Sequence, residues 1–179
     1  MLLERITNQA LIETPRFDLR PLRASDAGLI TMNLSDPRVA LNTSSVPHPL
    51  PPGTIEAMIA RAQADGRFED FWAMDGSKSG GDEVMGVISL VRLEHDQSEV
   101  GYWVAPAYWN TGVASAAVEA LLKANPQESK NIFAAVFQDN AASARVLTNC
   151  GFKYLGDAES FSVARNSKVA TWTYSWKTD

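Results

Sequence analysis

The spacing of apolar and polar residues along the chain predicts alternating strands and helices. Residues 16–23 read as a first strand, with Phe17, Leu19 and Leu22 set among charges. Ser25 follows as the N-cap of a helix carrying Leu29, Ile30 and Leu34, which Pro37 stops. Residues 35–53 hold Pro37, Pro47, Pro49, Pro51 and Pro52, which exclude a regular helix or a central strand. A loop of this length either lines a substrate site or is a surface excursion. A second helix starts at Thr54, with Ile55, Met58, Ile59 and Ala62 at helical spacing, and Gly66 closes it. Strands over 68–74, 83–93 and 98–104 then form an antiparallel meander, the first two joined by a Gly- and Ser-rich turn.

From Gly112 the pattern returns to helix, with Val113, Ala114, Ala117, Val118, Leu121 and Leu122 as its apolar stripe and Asn125-Pro126 as its end. The apolar run in 130–137 suits a sheet centre. Asp139 or Asn140 caps the next helix, whose buried face is Ala142, Val146, Leu147 and Cys150, with Gly151 as the left-handed residue past its end. Residues 152–155 and 169–176 close the sheet, and in the latter Ala170, Trp172, Tyr174 and Trp176 alternate with Thr171, Thr173 and Ser175. The order β-α-α-β-β-β-α-β-α-β-β describes an α/β chain of the α+β kind. Its centre is a mixed, mostly antiparallel sheet of about seven strands with helices on both faces.

Composition narrows the function classes. The chain has 179 residues, the size of one domain (1–179), with 45% hydrophobic and 21% charged residues. Against 21 Asp and Glu stand 16 Lys and Arg, a net charge of -5, with no basic stripe to suggest nucleic acid. One cysteine excludes an internal disulfide and fits a reducing compartment, and His48 and His95 lack ligand spacing, so no metal is expected. Glu4 and Arg5 interrupt any leader-like apolar stretch, and residues 100–118 contain Pro106, Asn110 and two glycines, unlike a membrane span. A soluble, cytoplasmic protein is the expectation.

The segment that carries chemistry is Glu99-Val-Gly-Tyr-Trp-Val-Ala-Pro-Ala-Tyr-Trp-Asn-Thr-Gly-Val-Ala-Ser115. It reads as a strand ended by Pro106, a short loop, and a helix whose first turn is small. The first N–H groups of such a helix lack internal partners and carry the positive end of its dipole, so a phosphate can approach them. An ordinary strand-turn-helix has the same appearance. A P-loop and a dinucleotide fingerprint are both excluded by their missing glycine and lysine spacing.

Tyr102-Trp-Val-Ala-Pro-Ala-Tyr-Trp-Asn-Thr-Gly-Val-Ala114 resembles the acetyl-CoA motif of the GNAT acetyltransferases, Arg/Gln-x-x-Gly-x-Gly/Ala, and within them the RimJ/RimL-like branch. Three further stretches agree in order. Thr14-Pro-Arg-Phe-Asp-Leu-Arg-Pro-Leu22 resembles the branch's first strand, and Glu99-Val-Gly-Tyr-Trp103 its fourth. Asn140-Ala-Ala-Ser-Ala-Arg-Val-Leu-Thr-Asn-Cys-Gly-Phe152 resembles its Asn-x-x-Ser-x-x-x-Leu-x-x-x-Gly-Phe helix. The chain departs from the family where Trp109 takes the Arg/Gln position, Thr111 a position often basic, and Ala116 one often Glu, so the loop has no cation of its own.

The resemblance implies a GNAT fold and an N-acetyltransferase that uses acetyl-CoA as co-substrate and an amine, protein N-terminal or small-molecule, as acceptor. It implies that the backbone of Trp103, Val104 and Ala105 holds the pantetheine arm. The loop and helix start, Trp109, Asn110, Thr111, Gly112, Val113, Ala114 and Ser115, would hold the diphosphate, with Asn140 and Ser143 contributing from the next helix. Glu99 is the candidate base, or else a cleft glutamate paired with an arginine. The family's thiolate-protonating tyrosine is replaced by Leu147; Tyr102 and Tyr108 are its possible substitutes, or else core and loop aromatics. Cys150 reads as a buried small hydrophobe, His95 as a solvated turn and His48 as a cleft candidate. A non-catalytic acyl-CoA-binding module and an interaction protein are the alternatives, and the chain is read as a monomer or a homodimer.

Overall fold

Hydrophobic alternation builds eight strands into one sheet in the order β1-β2-β3-β4-β5-β6-β8-β7 in the computed structural model, which describes residues 9–179. Glu4 and Arg5 lie outside the described residues. The strands are β1 (Ile12–Glu13), β2 (Asp18–Pro21), β3 (Glu69–Asp75), β4 (Gly86–Leu93), β5 (Gln97–Val104), β6 (Asn131–Phe137), β7 (Lys153–Ser162) and β8 (Ser167–Lys177). Every neighbouring pair is antiparallel except β5 and β6. The expected meander is β3-β4-β5, and the eighth strand beyond the expected seven is the two-residue edge β1.

The helices are α1 (Ala27–Leu34), α2 (Pro37–Ala40), α3 (Thr54–Gln63), α4 (Val113–Ala124) and α5 (Ala141–Asn149). Strand alternation divides the core in two. On one face Trp72, Ile88, Leu90, Val100 and Val104 meet Ala117, Val118 and Leu121 of α4 and Leu147 of α5. On the other, Ala73, Val87 and Trp103 meet Ile30 and Leu34 of α1 and Ile55 and Ile59 of α3.

Four expectations need correction. Ser25 is not the N-cap of α1. The chain enters through a 3-10 turn, Ala24–Asp26, where Asp26 accepts from the Arg23 N–H (2.9 Å) and pairs with Arg20 (2.8 Å). Pro37 stops α1 only by starting α2. It sits in the first turn, where a missing N–H costs no bond, and Asp36 caps it through the Arg38 N–H. The last hairpin is longer than expected, because β7 is exposed along nearly its whole length and shows no alternation to read. On α5 Ala144, rather than Ala142, shares the buried face with Leu147.

One polar network lies beside the point where β5 and β6 part. The Gln127 carboxamide, on the loop after α4, donates to the Leu90 carbonyl (2.9 Å) and accepts from the buried Ser98 hydroxyl (2.7 Å). Ladder pairing between β5 and β6 ends one residue later, at Glu99 opposite Phe133.

Candidate functional site

Because β5 and β6 separate beyond Glu99 while β4 stays paired with β5 as far as Val104, a cleft of about 1040 Å³ opens through the sheet. One wall is β5 itself, another the loop and first turn of α4, with Asn110, Gly112, Val113, Ala114 and Ser115, and a third the start of α5, with Asn140 and Ser143. The fourth wall is α2 and the proline-rich segment. The segment expected to be a substrate wall or a surface excursion is thus a wall.

The helix start has the geometry expected of an anion site. The first intrahelical bond of α4 runs from the Ala116 N–H to the Gly112 carbonyl (3.0 Å), so the N–H groups of Val113, Ala114 and Ser115 have no partner within the helix. Gly112 sets the approach with φ +80, which side chains rarely adopt, and Asn110 is also left-handed.

Other predicted positions are engaged elsewhere. The Ala105 N–H donates to the Met85 carbonyl (2.8 Å), and Ala105 is buried, so it does not offer the free donor expected of it. Backbone groups alternate sides along a strand. Trp103 therefore turns its own backbone toward β4 as well. The Val100 N–H closes the last ladder step, at Glu99 opposite Phe133, so the groups aimed at the open gap are those of Tyr102 and Val104. The Val104 carbonyl accepts from the Trp109 indole N–H (2.7 Å), leaving its N–H. The Thr111 hydroxyl donates to the Tyr108 carbonyl, and the Thr111 carbonyl accepts from Arg16 (2.9 Å). Asn140 does cap α5, accepting from the Ser143 N–H (3.3 Å) through its carbonyl oxygen only.

Two carboxylates stand together in the cleft. Register places Glu69 of β3, Val91 of β4 and Glu99 of β5 in one row on one face. All three line the cleft. Desolvation raises the pKa of Glu99. Among the described residues no ion pair or hydrogen bond holds it, so the paired-glutamate reading fails. Desolvation also raises the pKa of Glu69, opposed by a Ser89 hydrogen bond and by Arg61 and reinforced by Glu99. The sequence reading missed Glu69; counting register back from Glu99 across two strands would have found it.

Tyr102, on the opposite face of β5, shares a hydrogen bond with the Ser143 hydroxyl (2.8 Å) and donates its own hydroxyl to the Ser143 carbonyl (3.1 Å). Burial pushes its pKa up to about 12, which keeps it a proton donor across the physiological range. Tyr108 lines the cleft too, but its oxygen accepts from the Asp82 N–H (3.0 Å). Leu147 is fully buried. Cys150 donates weakly to the Ser115 carbonyl (3.6 Å), and burial lifts its thiol to about 11, the behaviour of a packing residue. His48 does not line the cleft, although its neighbour Pro47 does.

The mouth is tied shut on one side. Val163, in the β7–β8 turn, donates its N–H to the Ser44 carbonyl (3.0 Å), and Arg165 donates to the Leu41 carbonyl (2.9 Å) and pairs with Asp139 (2.6 Å).

Among the described residues no cluster of metal-ligating side chains occurs, and no helix is long and apolar enough to cross a membrane.

Comparison with known proteins agrees with this geometry. The chain is 26% identical over 178 residues to the Bacillus subtilis (strain 168) protein named "Uncharacterized N-acetyltransferase YoaA", covering 92% of this chain and 95% of that one. RimL, the ribosomal L7/L12 α-N-protein acetyltransferase solved with coenzyme A, shares the fold with a TM-score of 0.77 at 17% identity, over 95% of this chain and 99% of that one. Mycobacterium smegmatis RimJ, solved with a CoA-disulfide, does so at 0.73 and 20%, over 94% and 86%. The family described as Acetyltransferase (GNAT) domain matches residues 16–153, a span that takes in the parted strands, the α4 loop and the α5 cap. The chain therefore belongs to the GNAT acetyltransferase family and is an acyltransferase.

Proposed function

We propose that the chain transfers an acetyl group from acetyl-CoA to a primary amine, on a protein N-terminus or a small molecule. The observation that carries this reading is the gap beside Glu99. An unpaired strand edge can bind an extended amide-bearing arm, as an added strand would. It runs from a carboxylate with no partner to a helix start with free N–H groups. Acetyl-CoA supplies an activated thioester; the chain supplies position and proton transfer.

Amines have pKa values of about 7.7–8.0 at an N-terminus and about 10.4 on a lysine, so the attacking nitrogen must lose a proton. Glu99 takes that proton before the nitrogen attacks; as the C–N bond forms and the C–S bond breaks, the nitrogen sheds a second proton, which through water replaces the one that Tyr102 gives the sulfur. The Tyr102 backbone N–H, which faces the gap past the last β5–β6 ladder step, stabilises the carbonyl oxygen as it gains charge. The Tyr102 hydroxyl, braced by Ser143, donates to the departing sulfur. Tyr102→Phe is expected to lower kcat about tenfold, below the usual range for a general acid because its pKa sits far above that of a thiol. The same change costs about 1 kcal/mol in a denaturant titration through the lost Ser143 bonds. Loss of stability with unchanged kcat would assign Tyr102 to packing alone.

Calorimetric titration with acetyl-CoA tests the reading directly. Saturable binding is expected, and ligand at about 100 times its Kd should add roughly 2.7 kcal/mol to the unfolding free energy. Binding followed by acetylation of amines in a panel supports the enzyme. Binding with no acetylation supports a non-catalytic acyl-CoA module, and no binding at millimolar ligand removes both.

A further inference from the structure

We propose that Arg38 is the cation that binds the cofactor's phosphates, presented to the neutral loop from α2 across the ring of Trp109. This rests on the acetyl-CoA reading above and names a residue that the loop motif does not contain.

The loop itself, from Tyr108 to Ser115, carries no charged side chain. The fold brings one to it from seventy-one positions upstream of Trp109 (109 minus 38). The Arg38 guanidinium carbon lies 5.5 Å from the centre of the Trp109 ring. Trp109 is held in turn by its indole N–H on the Val104 carbonyl (2.7 Å). Trp109 therefore acts as a shelf for a cation from another element.

The other end of Arg38 is fixed as well. Asp36, the cap of α2, accepts from the Arg38 backbone N–H (2.9 Å) and from Nη2 (2.7 Å). It also takes Nε, at 3.1 Å to the nearer oxygen. These contacts leave the Nη1 donors without a partner among the described residues. Arg38 lines the same cleft as Trp109, Asn110 and Gly112, and its side chain is 64% exposed, so reaching a phosphate requires little desolvation.

The other nearby cations are placed differently. Arg16 donates to the Thr111 carbonyl (2.9 Å) and is not part of the cleft wall; it steadies the loop. Arg61 acts on Glu69, and Arg165 is paired with Asp139. Arg145 lines the cleft from α5. Among the described residues only Arg38 stacks on the loop.

The test is titration of acetyl-CoA, and of the phosphate-free thioester S-acetyl-pantetheine, into wild type, Arg38→Gln and Asp36→Asn. Arg38→Gln should weaken acetyl-CoA about fivefold, the scale of one exposed charge contact. It should also make binding less sensitive to salt, since one screened contact is gone. S-acetyl-pantetheine should bind all three proteins alike. Asp36→Asn removes a like charge beside the phosphates and frees the guanidinium, so acetyl-CoA should bind more tightly. An unchanged Kd and salt slope in Arg38→Gln overturns the proposal. So does equal weakening of both thioesters, which would make Arg38 a prop for Trp109, or weaker acetyl-CoA binding by Asp36→Asn. Wild type that binds no acetyl-CoA at all overturns the cofactor reading itself.

Discussion

Glu99→Gln is expected to lower kcat by about 100- to 10,000-fold, the usual contribution of a positioned general base, while the Kd for acetyl-CoA stays near wild type. The carboxylate faces the cleft with no partner of its own, so its removal leaves the strand edge and the helix start intact. Wild-type kcat/KM should fall on the acid side as Glu99 protonates, and the variant should lose that limb. The same substitution should raise the melting temperature at neutral pH. Desolvation lifts the pKa of Glu99 in the folded chain above its ordinary value of 4.5. A group shifted upward favours the folded state while protonated, and that contribution disappears as pH rises through the folded pKa. A neutral glutamine avoids the loss, so the gain in stability should be present at pH 7 and absent below pH 4.5. An inactive variant that also melts earlier at neutral pH would point to damage rather than to a missing base. Equal kcat in variant and wild type would take Glu99 out of the mechanism.

Gly86→Ala is expected to destabilise the fold by about 3 kcal/mol or more, at the upper end for overpacking. An added Cβ would collide with the Trp103 carbonyl oxygen, and would lie 2.9 Å from the Met74 sulfur and 3.1 Å from the Val104 Cα. Two of those three neighbours are backbone, which cannot rotate away. Gly86 is paired with Val104, so relief of the clash must push the end of β5. That end carries the Trp109 attachment and feeds the α4 loop. A shifted denaturant midpoint should therefore come with weaker acetyl-CoA binding, although Gly86 does not line the cleft. A variant of wild-type stability and affinity would show that β4 and β5 can separate freely there.

How far the sequence reveals this arrangement follows from the range of each interaction. Strand β5, its Pro106 stop, the Gly112 turn and the α4 stripe depend on neighbours in the chain, so periodicity and turn chemistry disclose them. The same holds for Asn140 as a cap and for Gly151 past α5, which has φ +94. What sequence spacing conceals is registration across strands and contacts between distant elements. Glu69 joins Glu99 only through Val91 on the strand between them. Ala105 looks like a free donor until Met85 is seen opposite it. The loop looks devoid of cations because its arginines, Arg16 and Arg38, belong to other elements. Pro37 was legible as a break but not as a beginning, because the same fixed φ serves both. Strand β7 offers no pattern, since both its faces meet water.

The tie between the proline-rich wall and the β7–β8 turn has a further consequence. On the wall's side the two shorter contacts go to the carbonyls of Leu41 and Ser44, main-chain acceptors that every substitution preserves; only a longer one, from Arg165 to the Asn42 side-chain oxygen (3.5 Å), depends on a side chain. Thr43, Ser44, Ser45 and Val46 all border the cleft. Their side chains can be exchanged with the wall still anchored in place. Under the proposed function, inheritance can thus retune which acceptor fits, one residue at a time, while β5 and the start of α4 stay as they were.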